Sequence, residues 1–281
     1  MLRIVLILMH TALLALASPL AFGFKQTFTL SVVPQFTPVD TGLRWTPLLT
    51  RLEAETGYGY RLRLLDKIPK FENDFLDGTP DLVFLNPYHM VMAAKSKGYT
   101  PLVRGSEPLK GILVVNKTSR INTLQDLNGK TLAFPAPNAF GASLYMRALL
   151  IEKEGLKFRT NYVGTHQNVY RHVLFGDAAA GGGVVATLTK EPMDLRQRLR
   201  VLYTTPGVPP HPIAANPRVP RVVRDKIIAA MIRIDSDPAG HKLLAAVELD
   251  KLVRADYARD YLPLEKLRLE RHVDIPTSPK R

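Results

Sequence analysis

The sequence predicts an α/β fold made of two similar blocks, and three observations carry that reading. Short β-prone apolar stretches alternate with longer stretches whose apolar residues recur at helical spacing. The alternation runs once from Lys25 and starts again near Lys117, an architectural repeat without a repeat of sequence. The chain is 46% hydrophobic over 281 residues and has no cysteine, so its stability must come from buried cores rather than disulfides. Repeated strand, helix, strand units predict a mostly parallel sheet with helices on both faces.

In order, Thr27 to Val33 alternates and is β-rich, and it runs into the loop Pro34 to Pro38. Trp45 to Glu55 carries Trp45, Leu48, Leu49 and Leu52 at helical spacing and stops at Thr56-Gly57. Tyr60 to Leu65 is a strand, Lys67 to Leu76 a helix with Pro69 in its first turn, and Asp77 to Pro80 a turn. Asp81 to Leu85 is a short buried strand that ends in Asn86-Pro87-Tyr88-His89 before a helix from about Met90 to Lys97. Strands follow at Tyr99 to Arg104 and Lys110 to Asn116.

The second block opens with a short helix over Asn122 to Asn128, capped by Asn122 or Thr123, and a strand over Thr131 to Phe134. That strand breaks at Pro135 and Pro137 and restarts as a helix over Phe140 to Glu154, with Asn138 as a good N-cap residue. A helix start of this kind presents free backbone N–H groups and the positive end of the dipole, which suits an anion. Arg159 to Gly164 is a strand, Val169 to Phe175 a helix, Asp177 to Val185 a small-residue strand containing Gly181-Gly182-Gly183, and Leu199 to Thr204 a strand. Thr205 to Pro212 is the most loop-like segment. Ile213 to Ala215 is a brief strand and Pro220 to Ile234 a helix, and another helix starts with Asp237 as cap and Pro238 at the first position. From Pro276 the tail is polar and is expected to be disordered.

Residues 1–23 read as a signal peptide. Arg3 supplies the positive start, Ile4 to Leu16 an almost unbroken apolar run, and Ala15-Leu16-Ala17 or Ala21-Phe22-Gly23 the cleavage signal. The run is short for a membrane span, which needs roughly 20 apolar residues, although an uncleaved anchor is the alternative. The expectation is a periplasmic, exported chain.

The formal charge is +13, from 38 basic and 25 acidic residues. The charges are dispersed, and no run interleaves basic residues with aromatics, so a nucleic-acid partner is not expected. No Gly-x-Ser-x-Gly, His-Glu-x-x-His or Gly-x-Gly-x-x-Gly motif is present. The triplet Gly129-Lys130-Thr131 is not a P-loop, because the position five before Gly129 is Leu124. His166 and His172 are six apart, poor spacing for a metal. Neither catalysis, a cofactor nor a metal is expected.

What recurs is a loop at the C-terminal end of a strand that opens a helix, the edge where open α/β sheets bind ligands. Five loops qualify: Pro34 to Pro38, Asn86 to His89, Pro137 to Gly141, Thr165 to Asn168 and Gly181 to Gly183. Their candidate ligand-binding residues are Phe36, Asn86, Tyr88, Asn138, Ala139, Phe140, Gly141, His166 and Gly182. Each has an ordinary alternative, as a cap-packing aromatic, a helix cap or a turn residue.

Four segments, in order, carry a resemblance. They are Asp81 to Tyr88 (DLVFLNPY), Thr123 to Phe134 (TLQDLNGKTLAF), Gly164 to Tyr170 (GTHQNVY) and Asp235 to Gly240 (DSDPAG). Together the chain resembles the phosphate/phosphite/phosphonate-binding family of periplasmic solute-binding proteins of ABC transporters. The resemblance implies a two-lobed periplasmic binding protein type II fold with a ligand cleft between the lobes. It puts the anion against the helix start at Asn138 to Gly141, with Tyr88 and His166 as further contacts. Family members that bind phosphonate resemble one another in a Ser-Thr-Ser-Gly run there; this chain has Asn138-Ala139-Phe140-Gly141, which keeps the glycine and the backbone donors but lacks three hydroxyls. Phe140 then suggests a ligand with an apolar part, or a different oxyanion.

The expected organisation is one lobe from residues 25–109 plus 205–281 and a second from 110–204. The expected function is capture of a small, phosphate- or phosphonate-like anion by lobe closure and delivery to an ABC transporter permease. The alternatives are sensory input to a membrane sensor kinase and, further off, an enzyme on a related scaffold. A monomer is expected.

Overall fold

A computed structural model of the chain describes residues 25–273. Residues 1–23, expected to be a signal peptide, and the polar tail from Pro276, expected to be disordered, lie outside the described residues. Strands and helices alternate into two sheets, one drawn from residues 27–105 and 212–254, the other from residues 111–204.

The six-stranded sheet contains β1 (Thr27–Val32), β2 (Gly59–Arg63), β3 (Leu82–Phe84), β4 (Thr100–Gly105), β10 (Pro212–Ala215) and β11 (Leu252–Arg254), in the order β11-β4-β10-β3-β1-β2. The five-stranded sheet contains β5 (Gly111–Asn116), β6 (Thr131–Phe134), β7 (Arg159–Tyr162), β8 (Ala180–Val184) and β9 (Leu199–Thr204), in the order β7-β6-β8-β5-β9. Both sheets are mixed, which corrects the expectation of a mostly parallel one. β1 pairs with β2 and β3 in parallel, and β6 with β7 and β8. β10 runs antiparallel between β3 and β4, and β5 antiparallel between β8 and β9.

The cause lies in the connections. β4 ends on the edge where the parallel strands have their C-termini, and the chain crosses from there into the other sheet as β5. It returns from the end of β9 as β10. A strand that enters from that edge must run against its neighbours.

Helix α1 (Pro38–Thr56) starts seven residues before the expected Trp45. The Thr37 hydroxyl accepts from the Asp40 amide, Pro38 takes the first position, and Gly57 in the left-handed conformation closes the helix. Gly42 and the exposed Pro47 weaken the helical pattern of that first half in sequence. Its buried stripe packs Trp45 against Phe84, ring centroids 5.0 Å apart. α2 (Ile68–Leu76) and α3 (Pro87–Lys97) complete this half with α8 (Arg221–Ser236) and α9 (Pro238–Ala246), the last capped by Asp237.

In the second sheet, Leu113 and Val115 share a core with Leu132, Phe134 and Leu150, while Ile112 and Val114 share one on the opposite face with Val169, Tyr170 and Val173. An unbroken apolar strand is therefore covered on both faces, as period-two geometry requires. The helices are α4 (Tyr145–Ala148), continued by wide π turns over Phe140–Leu144 and Leu149–Lys153, then α5 (His166–Phe175), α6 (Val185–Thr189) and α7 (Met193–Gln197). Phe140, Leu144, Tyr145 and Ala148 pack into the core of the six-stranded sheet, so the helical run 140–153 bridges the two halves. No helix among the described residues is long and apolar enough to cross a membrane.

Candidate functional site

The site is built from helix starts. Asn86 caps α3, its Oδ1 accepting from the His89 amide at 2.7 Å, with Pro87 in the first position. α3 therefore begins at Pro87 rather than Met90, and Tyr88 and His89 belong to its first turn. Thr165 caps α5, its hydroxyl accepting from the Asn168 amide at 3.1 Å, so His166 is the first helical residue rather than part of a loop. The run 140–153 is capped by Ala139, which has no side chain to offer. This corrects the capping role expected of Asn138. The Asn138 side-chain amide instead donates to Oε1 of buried Glu72 at 2.8 Å, and its carbonyl accepts from Asn86 Nδ2 at 3.1 Å.

Two close approaches seat this helix start on the second sheet. A Cβ on Gly182 would lie 1.9 Å from the Ala142 carbonyl oxygen, and one on Gly111 would lie 2.1 Å from that of Gly141. Only glycine fits either strand position. The space beside Gly182, a candidate ligand contact, is filled by the helix start and the Phe134 ring.

The starts of α3, the 140–153 run, α5 and α6 converge on one cavity of about 40 Å³, space for a few waters. Asn86, Ala139, Phe140, Gly141, Ala142, Thr165, His166, Val184, Gln35 and His211 contribute to its wall, together with apolar residues that include Val33 and Leu109. Among the described residues, no Lys, Arg, Asp or Glu lines it. The first amides of a helix have no intrahelical partner, and each helix adds a positive end of roughly half a charge. The cavity is thus electropositive without a formal cation. Burial pushes both imidazoles down, His166 to about 4 and His211 to about 4, against the opposing pull of Glu248. Both are neutral at physiological pH. Nδ1 of His166 lies 3.3 Å from the Thr187 hydroxyl, and His211 stacks on Phe84 at 5.4 Å.

Pro34, Gln35, Gly164, Thr165 and His166 also belong to an outer pocket lined by Phe36, Asp40, Arg44, Asp66, Lys190 and Glu191. Arg44 and Lys190 both lie over the Phe36 ring, 4.5 and 4.6 Å from its centroid. Lys190 pairs with Glu248 at 3.1 Å, and Glu248 accepts from Gln35 Nε2 at 3.2 Å. Burial works against ionising Glu248, but the Lys190 ammonium and the hydrogen bond from Gln35 outweigh it and hold the carboxyl below its usual range.

Of the nine candidates, Asn86, Ala139, Phe140, Gly141 and His166 come together at the cavity. The Phe140 ring is 3% exposed and stacks on Tyr145. Phe36 stands at the outer mouth. Tyr88 is packed in the core, its hydroxyl pushed up to about 12 by burial and by Glu270 and Glu265. Asn138 and Gly182 lie behind the helix start and hold it. Sequence reasoning missed His211, at the end of a proline-rich segment that carries no pattern, and Gln35 and Thr165, which sit inside two of the flagged loops. No group of three or more His, Asp or Glu side chains that could hold a metal occurs among the described residues.

The family described as "ABC transporter, phosphonate, periplasmic substrate-binding protein" matches residues 30–261. The phosphate-import protein PhnD of Mycolicibacterium smegmatis is 24% identical over 232 residues, covering 75% of this chain and 72% of that protein. A binding protein component of an ABC phosphonate transporter from Pseudomonas aeruginosa superposes with a TM-score of 0.78 at 15% identity, over 88% of each chain. PhnD1 from Prochlorococcus marinus, solved in complex with methylphosphonate, gives the same TM-score and identity over 88% of this chain and 99% of that one. At this identity the two structures establish the two-lobed periplasmic binding protein fold.

Proposed function

This chain belongs to the family of periplasmic substrate-binding proteins of phosphonate ABC transporters, and from that premise we propose that it captures a small oxyanion between its lobes and delivers it to a transporter. The relatives are substrate-binding components rather than enzymes. The lobes we assign are residues 25–109 plus 205–281 and residues 110–204; the division of the strands between two sheets supports this.

One observation carries the ligand class: several helix starts converge on a cavity with no charged side chain in its wall. Backbone N–H groups and neutral imidazoles hold an anion without the desolvation cost of a buried counter-ion. A hydrogen bond to a charged group contributes about 1.5–3 kcal/mol net, so four amount to a gross ~6–12 kcal/mol, against roughly 8 for a micromolar complex. The three hydroxyls lacking at 138–140 are therefore not indispensable. A cavity of about 40 Å³ suits a compact oxyanion head, and any substituent extends into the outer pocket beside Phe36.

Ala139, Phe140, Gly141 and His166 would supply contacts, with Asn86 bracing the wall and Asn138, Gly182, Tyr88 and Phe36 in supporting positions. The relatives' phosphate and phosphonate ligands support this class. The reading of residues 1–23 as a signal peptide supports export to the periplasm, where the partner is a transporter permease. Nothing in the relatives favours a sensor kinase as partner.

The test is a thermal-shift panel of phosphate, phosphite, methylphosphonate, sulfonates and carboxylates. At least one of these anions raises the melting temperature; stabilisation by neutral or cationic solutes alone contradicts the reading.

A further inference from the structure

The cavity wall contains one polar side chain that the fold leaves uncommitted. His211 is 7% exposed, stacks on Phe84 and lines the cavity, and no other described residue hydrogen-bonds to its ring. His166, the other imidazole in the wall, has the Thr187 hydroxyl beside its Nδ1. No cation or carboxylate stands in the wall to fix the charge of what binds there.

We propose that His211 makes anion capture proton-linked, taking up a solvent proton when an oxyanion occupies the cavity and thereby favouring doubly charged ligands. This rests on the proposed function above.

The groups around His211 make it responsive. Glu248, His89 and His166 face it from three different segments. Glu248 is already engaged by Lys190 and Gln35, and His89 by Glu72. Glu107 and Lys110 line the pocket on its other side. Burial dominates and keeps the ring neutral, down to about 4. An opposite charge at contact distance raises a neighbouring imidazole by about 1–3 pH units, which brings the occupied state into the range of about 5–7.

The sign follows from linkage. Because the bound form has the higher pKa, affinity rises as pH falls through that value, by up to about tenfold per pH unit, and levels off below the free-state value. The proton moves from solvent to the ring nitrogen that faces the anion, and no other bond changes.

The test is calorimetric titration with methylphosphonate and with inorganic phosphate at pH 6, in two buffers of different ionisation enthalpy, for the wild-type chain and His211→Asn. Sulfate, which stays doubly charged at this pH, is titrated alongside, so that the ligand's own ionisation does not enter the difference and it isolates His211. The expected result is between about 0.1 and about 0.9 of a proton more taken up by the wild type, according to where in the range of about 5–7 the occupied state falls. Nitrogen-15 spectra of the His211 ring in the wild type, with and without ligand, decide the matter even where the variant does not fold: the ring should turn from the neutral to the imidazolium pattern on binding. A wild type that binds, with equal uptake in both proteins or with a ring that stays neutral, overturns this proposal alone. A wild type that binds none of these anions overturns the proposal, and the oxyanion panel then decides whether the functional reading falls too.

Discussion

The side-chain amide of Asn138 donates to the buried carboxylate of Glu72 at 2.8 Å, across 66 residues of sequence. Glu72 Oε1 also meets His89 Nε2 at 2.9 Å, while Glu72 Oε2 has no partner among the described residues. The residue just before the cavity-facing helix start is thus tied to α2 of the other sheet.

Asn138→Ala leaves a fully buried carboxylate with one partner fewer, and the expected loss of stability is about 1–3 kcal/mol. Asn138→Asp sets a second carboxylate beside Glu72 and costs more at neutral pH than at pH 4, because protonation of the introduced carboxyl relieves the repulsion. Urea denaturation at both pH values checks this. Equal stability of both variants and the wild type contradicts the tie.

Gly182→Ala forces a methyl group to within 1.9 Å of the Ala142 carbonyl oxygen and 2.6 Å of the Phe134 ring. Overpacking of this kind costs about 1–3 kcal/mol or more and tilts the helix start, so stability and oxyanion affinity fall together. Gly42→Ala is the counterpart: its Cβ would meet only Leu64 at 3.6 Å, inside α1. Calorimetric melting should show it stabilised by about 0.4–1 kcal/mol.

Lys190 reaches from the end of α6 to Glu248 and to the face of Phe36. Lys190→Ala removes an ion pair worth at most about 1 kcal/mol and a cation–π contact worth about 0.5–1 kcal/mol. Affinity should fall about five- to tenfold, with a larger radius of gyration by small-angle scattering. Because Glu248 is held below its usual range, the latch is intact at neutral pH and is lost as pH falls below about 4.

Acid stability is set elsewhere. Burial disfavours ionised Asp260, but Arg259, Arg104 and the Asp256 amide outweigh it and hold the carboxyl well below the usual carboxylate range. Its contribution is therefore complete at neutral pH and is lost as pH drops below about 4. Asp260→Asn strands the half-buried Arg104, costs about 3 kcal/mol at pH 7, and flattens the acid limb of the stability curve measured from pH 7 to 2.

How much of this was legible in the sequence depends on distance along the chain. Local signals place elements well: Asp237-Pro238 opens α9, Gly57 closes α1, and the apolar run at 112–115 is a strand covered on both faces. Asn86, Ala139, Gly141 and His166 come together at the cavity because each stands near a helix start at a strand end. The insertion of β5 and β10 against their neighbours could not be found, because it follows from where the chain crosses between sheets. The real partner of Asn138 is 66 residues away, so its cap-like identity was misleading. Tyr88 looks like a contact in its loop, yet the turn of α3 carries it into the core. His211 sits among prolines and gains its meaning only when the return strand β10 brings it to the cavity.

In the proposed binding mode the helix starts around Ala139 hold the anion. Titration of the wild type and Ala139→Asp with whichever oxyanion the panel finds most stabilising tests it most directly, with far-ultraviolet circular dichroism to verify the fold. A carboxylate at a position that is 9% exposed on the cavity wall should repel the ligand and reduce affinity at least about a hundredfold, on the order of 3 kcal/mol. Unchanged affinity in a folded Ala139→Asp protein would contradict the claim and place the anion elsewhere.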